Sequence, residues 1–103
     1  MVKQKISVIL RCRNEERYIG HCLQSLDDFL YEPEIILLNN NSTDNSIRVV
    51  NTFDWMNIRK IHINNDDYTP GKSLNIGVKE ATNSIILIFS SHCELVEFDI
   101  DNV

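Results

Sequence analysis

The sequence predicts an α/β protein: a Rossmann-like, three-layer α/β/α sandwich around a mostly parallel sheet, in the order β-α-β-α-β-α-β. Three observations carry this. Four short apolar runs, at residues 6–10, 34–38, 58–63 and 85–89, are rich in β-branched residues and read as strands. Between them lie three stretches whose apolar residues recur at helical spacing. A chain of 103 residues, 43% hydrophobic and 24% charged, holds material for one core, so residues 1–103 are expected to form a single domain. Strands joined by helices in this way run parallel, with right-handed crossovers and helices covering the sheet.

Ile6-Ser7-Val8-Ile9-Leu10 forms the first buried strand. Asn14 is the expected N-cap of the first helix, and Glu15 and Glu16 suit the positive helix start. Ile19, Leu23 and Leu26 then fall at i, i+4 and i+7 on one face, flanked by Tyr18 and Cys22, and Pro33 closes the segment that follows. Ile35-Ile36-Leu37-Leu38 forms the second strand and stops at Asn39-Asn40-Asn41-Ser42-Thr43-Asp44. There Ser42 is the expected cap of a second helix carrying Ile47, Val50 and Phe53. Ile58, Ile61 and Ile63 mark a third, less regular strand. Thr69 and Pro70 make an N-cap and N1 pair for a third helix, with Leu74, Val78 and Ala81 turned inward. Residues 85–89 form the strongest strand, apolar throughout, so that both its faces expect cover. An acidic tail, Glu97 to Asp101, follows.

Ten basic and fifteen acidic residues leave a net charge of −5 without a Lys/Arg stripe, which argues against nucleic acid. No apolar run approaches the ~20 residues of a membrane span. The N-terminus lacks the cleavage site of a secretory signal, so a cytoplasmic location is expected, with membrane-peripheral attachment in a longer protein as the variant. Without such a signal, the sequons beginning at Asn40 and Asn41 reflect an Asn-rich loop. Cys12, Cys22 and Cys93 cannot all pair and are expected to be reduced, buried thiols. Gly71-Lys72-Ser73 imitates the end of a phosphate-binding loop, but that motif needs a glycine where Asp66 stands. No glycine-rich dinucleotide fingerprint follows the first strand, which exits as Arg11-Cys12-Arg13-Asn14. His21-Cys22 and His92-Cys93 lack zinc-pair spacing, and Asp99-Ile100-Asp101 reads as part of a solvated tail.

Ligands of open parallel sheets bind beyond the carboxyl ends of the strands, at the topological switch point. That rule selects residues 11–16, 39–44 and 90–94, three polar clusters that each follow a strand and that core packing does not explain. Arg11 and Arg13 bring positive charge to a helix start, an arrangement suited to an anion.

Taken together, residues 6–16, residues 34–44, Lys72-Ser73-Leu74-Asn75-Ile76-Gly77 and the strand at 85–89 with its polar exit resemble the N-terminal half of a family-2 glycosyltransferase of the GT-A fold. The resemblance implies a nucleotide-sugar donor cradled by Arg11, Arg13, Asn14 and Glu15, by Asn39, Asn40 and Asp44, and by Lys72, Ser90 and Ser91. It implies transfer of the sugar to an acceptor hydroxyl on a sugar or lipid-linked substrate, in bacterial surface polysaccharide or glycan synthesis. Asn39 stands where the family usually has Asp, which leaves a hydrogen-bond acceptor without charge. Ser90-Ser91-His92 replaces the family's Asp-x-Asp, the motif that holds Mn²⁺ or Mg²⁺ on the diphosphate. His92 is then the candidate metal ligand, weak and favouring Mn²⁺, as in members that carry Ser-x-His. The family's acceptor half and catalytic base match nothing here, so the chain is expected to be a donor half, inactive alone. The other reading is a non-catalytic nucleotide-binding or structural module. An uncovered apolar edge strand leads to an expected homodimer.

Overall fold

The computed structural model describes residues 4–64 and 69–96, and within them strands and helices alternate as the sequence predicts. The elements are β1 (Ile6–Cys12), α1 (Ile19–Phe29), β2 (Glu34–Asn39), α2 (Ser46–Asn51), β3 (Asn57–His62), α3 (Pro70–Glu80) and β4 (Ile85–Ser90). The acidic tail with Asp99 and Asp101, and residues 65–68 of the loop before α3, lie outside the described residues.

The strand order is β3-β2-β1-β4, and every neighbouring pair is parallel. The chain builds outward from β1 through β2 to β3, then returns across the sheet to place β4 on the other side of β1. The order therefore reverses between β1 and β4. Alternation along the strands divides the core into two faces. Val8, Leu10, Cys12, Ile35 and Leu37 pack on one face with Ile19, Cys22, Leu23 and Leu26 of α1 and Val50 of α2. Ile9, Ile36 and Leu38 pack on the other with Leu74 and Ile76 of α3. This gives the three layers. Burial of each large aliphatic side chain of α1 contributes about 1.5–3 kcal/mol.

Four local expectations are corrected. Asn14 does not cap α1, which starts at Ile19 after Tyr18 and has no acidic residue in its first turn. Ser42 does not cap α2, whose N-cap position is Asn45, and Phe53 lies beyond that helix. Val78 does not face inward: it is 45% exposed, and Ser73 and Gly77 are the buried positions of α3. The reason is close approach. A Cβ on Gly77 would lie 2.7 Å from Ile9 Cγ2, so α3 rests on β1 through a glycine, and Val78, the next residue, is carried away from the sheet. Cys93 is exposed, whereas Cys12 and Cys22 are buried. The Thr69–Pro70 start of α3 stands as read: the Thr69 hydroxyl accepts from Lys72 N–H at 3.1 Å.

At the amino end of the sheet the buried Glu34 carboxylate accepts Ser7 Oγ, Thr82 N–H and Thr82 Oγ, each at 2.8 Å. Burial works to raise its pKa. The three hydrogen bonds and the Arg59 charge outweigh that and hold it below the ordinary glutamate value. Asn83 N–H donates to Ser7 Oγ at 3.2 Å, so the network fixes the turn that feeds β4 into place beside β1. The β4 edge is not covered as the sequence suggests: its residues are half-buried and Ile88 is 52% exposed.

Candidate functional site

The carboxyl ends of three strands stand level. Cys12 of β1 is in register with Asn39 of β2, and Arg11 with Ser90 of β4. A cavity of about 310 Å³ opens there, lined by Arg11, Cys12, Arg13, Glu15, Asn40, Ser90, Ser91 and His92. The structure thus brings together seven of the residues selected from the sequence. Cys12 lies within the selected 11–16 cluster, but sequence reasoning assigned it no site role; its inward position in the strand alternation was the available signal. Burial pushes the Cys12 thiol up, so it is a neutral wall and not a nucleophile. Behind it the Cys22 thiol is pushed up to about 12, again chiefly by burial.

Asn14, Asn39 and Asp44 do not line the cavity; they hold its loops. Asn14 adopts the left-handed conformation, φ 53°. Its Oδ1 accepts the N–H groups of Thr43 at 2.7 Å and Asp44 at 3.3 Å, and its own N–H donates to Ser42 Oγ at 3.1 Å. Glu15 N–H donates to Ser46 Oγ at 2.7 Å, and Glu16 N–H to Asp44 Oδ2 at 3.1 Å. Asp44 Oδ1 accepts the Ser46 N–H at 2.9 Å, and Asn39 Oδ1 accepts the Ser42 N–H at 3.2 Å. Every peptide N–H from Asn14 to Glu16 is therefore bound by the loop after β2 or by the first residue of α2, which clamps the two segments into one wall. Burial tends to raise the Asp44 pKa, but hydrogen bonds from Ser46 and Glu16 outweigh it and keep the carboxylate below its ordinary value. Ser46 is fully buried at the centre of this clamp; an Asp-x-Ser pair ahead of a helix was the sequence signal for it. Lys72 sits exposed in the first turn of α3, outside the cavity lining.

Two features give the cavity its chemistry. Asn40 is 4% exposed, and its Oδ1 is buried with no hydrogen-bond partner among the described residues. A buried, unpaired amide oxygen costs about 1–3 kcal/mol, so it marks a polar group that the described residues leave unsatisfied. The same cavity is lined by two arginines, permanent cations that match phosphate oxygens in pairs.

On the β4 side, Ser90 Oγ lies 2.9 Å from His92 Nδ1, which is 3.9 Å from Glu15 Oε1. One imidazole and one carboxylate form a partial donor set that suits Mn²⁺ better than Mg²⁺. Among the described residues no group of three or more His, Cys, Asp or Glu could hold a metal alone. The set fits a cation completed by ligand oxygens. No helix among the described residues is long and apolar enough to cross a membrane.

Known proteins share this architecture. The family described as Glycosyl transferase family 2 matches residues 7–99. Poly(ribitol-phosphate) beta-N-acetylglucosaminyltransferase TarS of Staphylococcus aureus is 31% identical over 91 residues, covering 84% of this chain and 16% of that protein. The crystal structure of TarS 1–349 in complex with UDP-GlcNAc matches with a TM-score of 0.77 at 28% identity, covering 86% of this chain and 27% of that one. Glucosyl-3-phosphoglycerate synthase from Mycobacterium tuberculosis, solved with Mn²⁺, UDP and phosphoglyceric acid, matches with a TM-score of 0.64 at 25% identity. That match covers 85% of this chain and 33% of the synthase. The chain therefore spans a minor part of each relative's length.

Proposed function

This chain belongs to glycosyl transferase family 2, and we propose that residues 1–103 are the donor-binding half of such an enzyme, holding a nucleoside-diphosphate sugar at the β1–β4 switch point. The observation that carries the reading is the unpaired Asn40 Oδ1, buried in a cavity that also presents two arginines. The amide oxygen accepts from a base N–H or a ribose hydroxyl, with Asn39 beside it in the chain, and Arg11 and Arg13 take the diphosphate. The TarS structures with UDP and UDP-GlcNAc support uridine diphosphate as the carrier.

The reaction is displacement at the anomeric carbon by an acceptor hydroxyl. Arg11 and Arg13 stabilise charge developing on the leaving diphosphate, a contribution larger in the transition state than in the bound donor. The clamp through Asn14, Asp44 and Ser46 keeps the arginines and Asn40 in fixed relation, so little reorganisation accompanies reaction. Glu15 and His92, with Ser90, would hold Mn²⁺, which when bound neutralises diphosphate charge. Ser91, in the cavity lining, remains a donor contact in this reading, whereas Lys72 lies outside that lining and is given no contact. No described carboxylate other than Glu15 lines the cavity, so we assign no base and expect the chain by itself to bind donor without transferring it. The acceptor is then a sugar or lipid-linked hydroxyl of a surface glycan, made in the cytoplasm or at its membrane. The open β4 edge pairs with a second copy.

The test is titration of UDP and UDP-GlcNAc into the chain, with and without Mn²⁺, followed by NMR and calorimetry. Shifts are expected in residues 11–16, 39–44 and 90–92. Replacing Asn40 by Ala is expected to weaken binding about tenfold or more, the worth of one buried hydrogen bond. Absence of binding, or shifts confined to residues 54–64, overturns the reading.

A further inference from the structure

A larger cavity, about 440 Å³, opens at the opposite pole, where Lys5 precedes β1, Pro33 precedes β2 and Asn57 begins β3. The geometry points to a second ligand site here: a binding site for a neutral saccharide, with Trp55 as its stacking platform. Trp55 is 60% exposed, yet it is not loose. Its Nε1–H donates to Asp27 Oδ2 of α1 at 3.1 Å, and the Phe53 ring packs behind it at 5.1 Å between centroids. An indole held from two sides with its surface left to solvent is preorganised to receive something. Tyr31, 40% exposed, is a second aromatic wall of the same cavity.

The remaining groups decide the ligand class. Lys5, Asp27, Glu32 and Asn57 set acceptors and donors around the aromatic walls, and Lys5 already pairs with Glu32 at 3.5 Å. Two carboxylates against one ammonium leave the rim negative, which disfavours a phosphate or nucleotide, the ligand class that Arg11 and Arg13 suit. A pyranose ring fits both features. The axial C–H groups on its face are apolar and weakly positive at hydrogen, and are drawn to the electron-rich indole face. Its hydroxyls both donate and accept, matching carboxylates, amide and ammonium together. The cavity volume falls in the range of small-ligand sites. The inference stands on this pole alone and does not rest on the donor reading.

Trp55 is the chain's one tryptophan, so intrinsic fluorescence reports this site directly. Cellohexaose, maltohexaose and chitohexaose are titrated to about 10 mM, since single-platform sites of this kind bind near the millimolar range. At least one is expected to change the emission saturably, with amide shifts at Lys5, Asp27, Glu32 and residues 55–57. Trp55→Ala, followed by NMR, is expected to weaken that binding about tenfold or more while leaving UDP affinity unchanged. Asp27→Ala, which frees the indole without removing it, is expected to weaken it less. Unfolding curves confirm that both variants fold. No saturable response to any of the three sugars overturns the proposal. So does a Trp55 response that depends on protein concentration alone, which marks a protein contact, or saccharide binding that survives Trp55→Ala.

Discussion

Replacing Asn14 separates two contributions to the clamp between the cavity loops. Its amide oxygen takes two peptide N–H groups, at 2.7 and 3.3 Å, and its backbone is left-handed at φ 53°. Because the residue is exposed, each hydrogen bond contributes about 0.5–1 kcal/mol net. Asn14→Gly removes both bonds but tolerates the left-handed conformation, so it should cost about 1–2 kcal/mol. Asn14→Ala removes the same bonds and adds about 1 kcal/mol of backbone strain, so it should cost about 2–3 kcal/mol. Urea unfolding measures both; at a slope of about 2 kcal/mol/M, the alanine midpoint should fall by about 1 M or more. UDP affinity should fall in the same order, because Arg13 and Asn40 lie on the two loops that the amide joins. Equal losses for Gly and Ala would refute the strain argument. Unchanged stability and UDP affinity in both variants would refute the clamp.

Gly77→Ala should destabilise although alanine is the better helix former. The new methyl meets Ile9 Cγ2 at 2.7 Å, a methyl on the stiff β-branched carbon of a fully buried strand residue, so overpacking of about 2–3 kcal/mol exceeds a propensity gain of about 1 kcal/mol. A melting temperature lowered by several degrees is expected; an unchanged or higher one refutes the packing argument. Glu34 makes stability depend on pH in a defined sense. Its folded pKa is below the ordinary glutamate value of 4.5, so its contribution is present above that pH and is lost as pH falls through the folded value. The stability gap between the native chain and Glu34→Gln should therefore narrow below pH 4.5, as urea melts across that range will show. A gap constant with pH contradicts the assignment.

What the sequence disclosed was what repeats or what is local. The face of Ile19, Leu23 and Leu26, the four apolar runs and the Thr69–Pro70 cap are all written within a few residues of where they act. The misplaced start of α1 has the opposite character. An Asn followed by two Glu reads equally well as a cap or as a loop, and the partners that decide it, Thr43 and Asp44, lie far along the chain. Val78 was misread because helical period gives the spacing of a face but not its rotation, which the contact of Gly77 with Ile9 sets. The candidate site was legible as three polar clusters after strands, since every strand exit is at the same end of a parallel sheet. Their division into cavity lining and clamp was not, because it depends on which side chains spend their hydrogen bonds on one another. Trp55 carried no signal at all: its neighbours Asp27 and Phe53 become a cradle only once α1 and the loop before β3 meet.

The strand order also sets a timetable for synthesis. β1 leaves the ribosome first but must wait for β4, with Ile6 meeting Ile85. Its other partner, β2, arrives much sooner, with Val8 meeting Ile35. During elongation a β1–β2–β3 sheet can therefore form while one side of its central strand stays unpaired. The Ser90–His92 wall is added only when nearly the whole described chain has emerged. A nascent chain of this design holds an open strand edge until β4 emerges, the state in which unpaired strands recruit wrong partners. Closing that edge and completing the ligand cavity are one event.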